Sequence, residues 1–337
     1  MRAINGDIAV VSHRRDFDGI ASAAEMLKVF GSRIKLMLFT NPSTDEFLDA
    51  MKRLEGFGRG TVVIADISIN SGTVPELHEM LEGLEERGSE LIWLDHHPWP
   101  AGASEIVGEH ARLLVCGENP MFSGAELVYE NLCNGDGTCR RLAELAHITD
   151  FNLKPDDDVL DLTLMRLSRI IAFLDSGDSE SDSMRAELVR ELAAGRIGGP
   201  AIERLDSLYK KSEAENLESL NATMRSERVP GHVVGIAFAH NLQSNMACDI
   251  IRERTGADIC VFVTMKDGAA HVRSGAGIDS SALARAFGGN GHPQASGFTP
   301  KGDFHGFGAK GIAAYSELVF DAAKAAYGKE HNRGKRP

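Results

Sequence analysis

Short apolar runs, each followed closely by carboxylate or imidazole side chains, recur through the first hundred residues of this chain. Ile8 to Val11 precede His13, Asp16 and Asp18, Val62 to Ala65 precede Asp66, and Leu91 to Leu94 precede Asp95-His96-His97. Asp150 closes a fourth apolar-patterned stretch, Leu142 to Ile148. Runs this short, bounded by polar residues, read as buried parallel strands, and open α/β sheets hold their ligands at the carboxyl ends of such strands. Several carboxylates and imidazoles brought to one sheet edge repel one another unless cations neutralise them. The pattern predicts a metal site assembled from four separate loops.

Between the strand candidates (8–12, 34–39, 60–66 and 90–95), residues 19–30, 44–55 and 74–87 carry helical spacing, as in Ile20, Ala23, Ala24 and Leu27. Such alternation implies a mostly parallel sheet with helices on its faces. Helices are expected at 123–132, 138–149 and 157–174, an exposed loop from Asp175 to Ser183 and a break from Gly195 to Pro200. The polar stretch 201–227, ended by Pro230-Gly231, reads as a linker helix. Strands at 232–239, 258–265 and 270–274, a helix at 244–254, a Gly-rich segment at 288–297 and a last helix at 309–327 follow. The expected fold class is α/β: an N-terminal domain over 1–195, a helical linker over 196–230, a smaller α/β domain over 231–328 and a basic, solvated tail over 329–337.

A length of 337 residues suffices for two domains with their own cores. No segment approaches the roughly 20 apolar residues of a membrane span, and no basic stretch followed by a long apolar one suggests a secretory signal. Five cysteines without a Cys-x-x-Cys pair read as reduced thiols and point to the cytoplasm. The net charge of −13 disfavours a protein that lies along many phosphates of a long duplex, and leaves small anionic substrates as the better fit.

In His13-Arg14-Arg15-Asp16-Phe17-Asp18-Gly19 the two aspartates can face two neighbouring cations, or one of them can cap the following helix; Gly19 allows a tight turn into it. Asp95 can orient a ligating imidazole from behind. A set rich in carboxylates with some imidazole suits Mn2+ or Mg2+ rather than structural zinc. Two such ions can activate water, hold a phosphoryl group and stabilise a leaving oxygen. Further on, Gly288-Gly289-Asn290-Gly291-His292 can bring backbone N–H groups and an imidazole to a phosphate, or serve only as a turn. His271 and Arg273 alternate with Val272 at strand spacing, and Arg273 suits bidentate phosphate contact. Trp99 packs, or stacks on a base; packing is the stronger expectation.

Taken in this order and spacing, the residues resemble the DHH phosphoesterase superfamily, and the C-terminal part resembles its DHH-associated substrate domain. The resemblance implies a dinuclear manganese site, with Mg2+ or Co2+ as alternatives, in a cleft between the domains. It implies His13, Asp16 and Asp66 on one metal and Asp18, Asp66, His96 and Asp150 on the other, with Asp66 bridging. His97 would sit near the leaving group, Asp95 would support the histidines, and Arg273, Ser274, Gly288, Gly289, Asn290, Gly291 and His292 would hold a phosphate or terminal nucleotide. Two departures stand out: two residues separate His13 from Asp16 where relatives commonly show one or three, and Asn290 stands where many carry a fourth glycine. The implied activity is manganese-dependent cleavage of short RNA or DNA oligonucleotides or dinucleotides to nucleoside monophosphates. Cleavage of cyclic di-AMP, removal of the 3′-phosphate of adenosine 3′,5′-bisphosphate, RecJ-like digestion of longer single strands, with Arg14-Arg15 as the only basic hint, and a scaffold without turnover are the alternatives. Oligomeric state is not set by the sequence, and a homodimer is left open.

Overall fold

The computed structural model describes residue 4 and residues 6–119, 121–175, 178–300 and 307–333, the side chains of 329–333 excepted. The N-terminal apolar runs become β1 (Ile8–His13), β2 (Ile34–Thr40), β3 (Thr61–Ala65) and β4 (Glu90–Leu94), joined by β5 (Ala111–Val115). They form one sheet in the order β2-β1-β3-β4-β5, with every pairing parallel. Successive side chains point to opposite faces. Val10, Val63 and Ile92 therefore pack into one apolar cluster, and Val11, Ile64 and Trp93 into another. Helices cover both faces, which is why these strands are apolar throughout rather than alternating.

Those helices are α1 (Phe17–Phe30), α2 (Thr44–Arg53), α3 (Val74–Glu86), α4 (Ala103–His110), α5 (Gly124–Val128), α6 (Gly137–Asp150), α7 (Asp158–Phe173), α8 (Ser179–Ala193) and the first turns of α9 (Pro200–Thr223). Ile20 of α1, Leu142 of α6, Leu167 of α7 and Leu188 of α8 fill the first cluster; Phe47 of α2, Leu77 of α3 and Val107 of α4 fill the second. The strand order has one consequence for function. β1 lies between β2 and β3, so the chain steps outward to β2 and then returns across β1 to β3. That reversal opens a crevice at the carboxyl ends of β1 and β3, the usual ligand position in doubly wound sheets.

The chain divides into two compact units, Met1–Tyr209 and Lys210–Pro337, with the division inside α9. The second unit contains β6 (Arg225–Val229), β7 (His232–Ala239), α10 (Ser244–Thr255), β8 (Ile259–Thr264), β9 (Ala270–Ser274), α11 (Ser281–Ala286), β10 (Asn290–His292), β11 (Ala295–Phe298) and α12 (Ala309–Arg333). Its sheet runs β10-β11-β9-β8-β7-β6, antiparallel except for β7 and β8, which α10 connects as a crossover. The apolar side chains of α11 and α12, including Leu283, Tyr315 and Val319, cover one face.

Four local readings of the sequence change. Asp175 to Ser183 is not a continuous loop: Asp178 accepts from Ser181 N at 2.8 Å and starts α8, so the Ser/Asp-rich composition marks a helix cap, while residues 176–177 lie outside the described ones. The polar stretch expected as helix to 227 ends at Thr223; Arg225–Val229 pairs with β7 across a turn at Pro230-Gly231, where Gly231 has φ 83°. No element is expected between 95 and 123, where α4 and β5 lie; β5 is a five-residue edge strand, too short for a periodic signal. The Gly-rich segment 288–297 folds largely as the β10–β11 hairpin. Of the expected tail, residues 334–337 lie outside the described residues, and α12 runs to Arg333.

Candidate metal centre

β1 ends on His13, and the chain turns at once into α1, whose N-cap is Asp16: its carboxylate accepts from Gly19 N at 3.0 Å. The capping use of Asp16 is therefore real, and its other oxygen still lies 2.7 Å from His13 Nδ1. Gly19 is inside the helix, not in a tight turn as expected. Its need is steric, because a Cβ there would lie 2.3 Å from the His13 carbonyl oxygen. Asp66 follows β3 with φ 55°, a left-handed conformation rarely held by a non-glycine residue and concentrated at functional sites. Gly124, the first residue of α5, leaves room for it, since a Cβ would lie 2.7 Å from Asp66 Cβ.

Around Asp66 the predicted ligands converge. Asp66 Oδ2 is 3.6 Å from His13 Nδ1, and Asp66 Oδ1 is 3.4 Å from His96 Nε2 and 3.8 Å from His97 Nδ1. His96 Nε2 also lies 3.6 Å from Asp18 and 3.8 Å from Asp150, the last residue of α6. Three overlapping groups result: His13, Asp16 and Asp66; Asp66, His96 and His97; and Asp18, His96 and Asp150. Both Asp66 oxygens and His96 Nε2 are buried without a hydrogen bond of acceptable geometry. Leaving such groups unsatisfied is costly. Ions with bonds of about 2.1 Å would satisfy them, because octahedral ligation sets ligand atoms about 3 to 4 Å apart. The residues present fit divalent metals.

Asp18 is fixed from behind: Gly124 N and Ala125 N, at the start of α5, donate to its two oxygens at 2.6 and 2.7 Å. The capping box Ser123/Glu126 holds that helix start in place. This support was missed. Ser123-x-x-Glu126 was legible as a helix start, but nothing local says which carboxylate its free N–H groups receive. Asp95 supports His97 rather than both histidines. One oxygen lies 2.9 Å from His97 Nδ1, and the other accepts from Trp99 Nε1 at 2.6 Å. Trp99 also packs edge-on against buried Trp93, with centroids 5.0 Å apart, so it packs and anchors Asp95.

The electrostatics without metal show the strain of gathering these groups. Burial would lower the His13 imidazole, but the carboxylates of Asp16 and then Asp66 beside it outweigh that and raise it to about 10. His97 is raised to about 9, first by its hydrogen bond to Asp95. Burial, then the charges of Asp66 and Asp16, push Asp18 well up; burial also raises Asp150. The side chain of His97 is 41% exposed against 8% for His96. His96 therefore lies in the interior of the cluster, and His97 faces solvent.

In the second unit, His271 and Arg273 share the partly exposed face of β9 while Val272 is buried. The Arg273 guanidinium is held by neutral partners: Asn245 Oδ1 at 2.8 Å, Ser244 Oγ at 3.2 Å and the Val272 carbonyl at 3.0 Å. Ser274 is buried, and its hydroxyl is directed at the carbonyls of Ile278 (2.7 Å) and Pro293 (3.2 Å), where it ties the hairpin to β9. Gly288 has φ 77°, and a Cβ on Gly289 would lie 2.2 Å from Gly297 O. At Gly291 it would lie 2.5 Å from Ser296 Cα, so the hairpin alone accounts for these glycines. Asn290 and His292 are exposed.

A carboxylate–imidazole cluster at the switch point of a parallel sheet is suited to holding divalent metal ions beside a ligand crevice. Residues 7–165 match the model of the DHH family, N-terminal domain, a family whose members are divalent-metal phosphoesterases, hydrolases of phosphoester bonds. No curated protein sequence matches the chain. Among solved structures it is similar to an uncharacterized protein from Helicobacter pylori G27, at 15% identity and a TM-score of 0.42, covering 94% of this chain and 100% of that one. It is also similar to the pGpG-specific phosphodiesterase PggH from Vibrio cholerae, at 13% identity and a TM-score of 0.44, covering 94% and 99%. RecJ from Thermus thermophilus, in complex with Mg2+, shows 16% identity and a TM-score of 0.41; the match covers 97% of this chain and 50% of RecJ. No described helix is long and apolar enough to cross a membrane.

Proposed function

We propose that this chain is a manganese-dependent phosphodiesterase that cuts dinucleotides and very short oligonucleotides to nucleoside monophosphates. The observation that carries the proposal is the position of Asp66. Its two unsatisfied oxygens face different groups, His13 and Asp16 on one side and His96 with Asp18 and Asp150 on the other. In this reading His13, Asp16 and Asp66 hold one ion, and Asp18, Asp66, His96 and Asp150 the other. Mixed carboxylate and imidazole donors suit Mn2+, with Mg2+ and Co2+ as substitutes. Bound ions would supply activated water and offset charge on the phosphoryl oxygens.

The chain's own groups then have distinct tasks. Asp18, gripped by two amide donors, keeps its position while the neighbouring carboxylates compete for charge. His97, protonated at neutral pH through Asp95, presents Nε2 as the acid for the leaving oxygen. Arg273, whose bonded partners are all neutral, keeps its charge for a phosphate or terminal nucleotide, with Asn290, Gly291 and His292 two strands away in the same sheet as further contacts. Short substrates are favoured over long strands by the net charge of −13. The paired arginines point the same way: Arg14 binds Glu46 and Asp175, and Arg15 binds Asp175, so neither offers a free basic track. A cytoplasmic location, expected from five free cysteines, belongs to the same proposal.

The test is a time course with Mn2+ and two 5′-labelled RNAs, a dinucleotide and a 24-mer. Rapid loss of the dinucleotide beside a persistent 24-mer supports the proposal. Processive shortening of the 24-mer would replace it with the RecJ-like reading, and cleavage of neither would turn to cyclic di-AMP, adenosine bisphosphate or a role without turnover.

A further inference from the structure

On the opposite side of the sheet's helix layers from α1, where α3 meets α4, a second cluster of ligand-type side chains lies outside the site described above. His78 projects from α3, and Glu109 and His110 end α4; one donor atom of each lies within 4.8 Å of the others. His110 Nδ1 is 3.0 Å from Glu85 Oε2, and His110 Nε2 is 3.1 Å from His78 Nδ1. An ionised carboxylate only accepts, so Glu85 fixes the proton of a neutral His110 on Nδ1 and leaves the Nε2 lone pair directed at His78. A carboxylate behind an imidazole in this way is the usual support of a metal-binding histidine. Two imidazole nitrogens held at 3.1 Å must share a proton or a cation. The separation matches the latter: tetrahedral zinc with bonds of about 2.0–2.1 Å spaces its ligand atoms about 3.3 Å apart.

We propose that His78, Glu109 and His110 bind a zinc-class divalent ion at a peripheral site that ties α3 to α4. Two imidazoles and one carboxylate form a donor set suited to zinc, softer than the carboxylate-rich set around Asp66. The surroundings attract cations, since α3 carries five glutamates, Glu76, Glu79, Glu82, Glu85 and Glu86, and neither Lys nor Arg. The site has a structural consequence as well. α3 follows the loop that starts at Asp66, and α4 follows the loop that carries Asp95, His96 and His97. An ion joining the helices would bind only the folded arrangement and stabilise it by mass action.

The test loads Mn2+-saturated full-length protein with Zn2+, removes free metal and counts zinc per chain by mass spectrometry. Wild type is compared with His78→Ala, His78→Gln and Glu109→Gln. Zinc that reaches the Asp66 cluster is common to all four, so the difference isolates the peripheral site. Wild type should retain one more zinc than either His78 variant, Glu109→Gln should bind it more weakly than wild type, and dinucleotide cleavage in Mn2+ should be unchanged in His78→Ala. A Co2+-loaded wild type should show tetrahedral visible bands that His78→Ala and His78→Gln lack. Equal zinc content in wild type and both His78 variants would overturn the proposal and leave a hydrogen-bonded histidine pair.

Discussion

At the scale of single residues, the site depends on what stands behind its ligands. Asp66 occupies a left-handed backbone position, and Gly124 makes room for it. Gly124→Ala should displace Asp66 or α5, costing about 1–3 kcal/mol of stability together with most of the Mn2+ affinity; thermal melts and metal titration would measure both. Asp95→Asn removes the hydrogen-bonded charge that raises His97, so the alkaline limb of the kcat profile should move to lower pH. Trp99→Phe, which removes the other bond to Asp95, should reduce kcat by roughly 10–100-fold without changing stoichiometric metal content. The candidate ligands were legible because each follows an apolar run. Their supports were not: Gly124 and the Ala125 N–H lie more than a hundred residues from Asp18, and no local pattern encodes that pairing. Ser274 illustrates the converse, a residue expected at a phosphate whose hydroxyl is directed at two backbone carbonyls.

At the scale of elements, strongly patterned segments were readable and weakly patterned ones were not. β1, β3 and β4 are buried on both faces, so continuous Val, Ile and Leu identify them. β5 lies at a sheet edge with every residue only half-buried, and β6 is mostly polar; burial does not write their periodicity into the sequence. The start of α5 is the element on which the candidate metal centre most depends, because its amides grip Asp18. Ser123→Ala breaks its capping box and should cost about 1 kcal/mol. If that helix start positions Asp18, the same variant should weaken binding of one Mn2+ more than the other in a two-site calorimetric titration.

For the whole molecule, the parallel order β2-β1-β3-β4-β5 brings distant parts of the sequence to one crevice, and the gathered charges then make stability depend on metal and pH. Without metal, His13 and His97 are raised from 6.5 to about 10 and about 9. The folded state therefore binds more protons than the unfolded one between these values, and its stability falls as pH rises through that window. In chelator, the Tm should decline from pH 6.5 toward 10, and Mn2+ should restore it most at the alkaline end, where fewer protons compete for the ligands. A chelated Tm that rose across that window would contradict the arrangement of charges around Asp66.

The central claim is that Asp66 joins two metal subsites that together cut phosphodiesters, and it is tested most directly by comparing dinucleotide cleavage by wild type and Asp66→Ala at saturating Mn2+. The account predicts that the variant keeps its fold, by circular dichroism, and loses activity by at least about 10³-fold, as expected when groups acting as one unit lose a shared member. Near-normal cleavage by Asp66→Ala would contradict it.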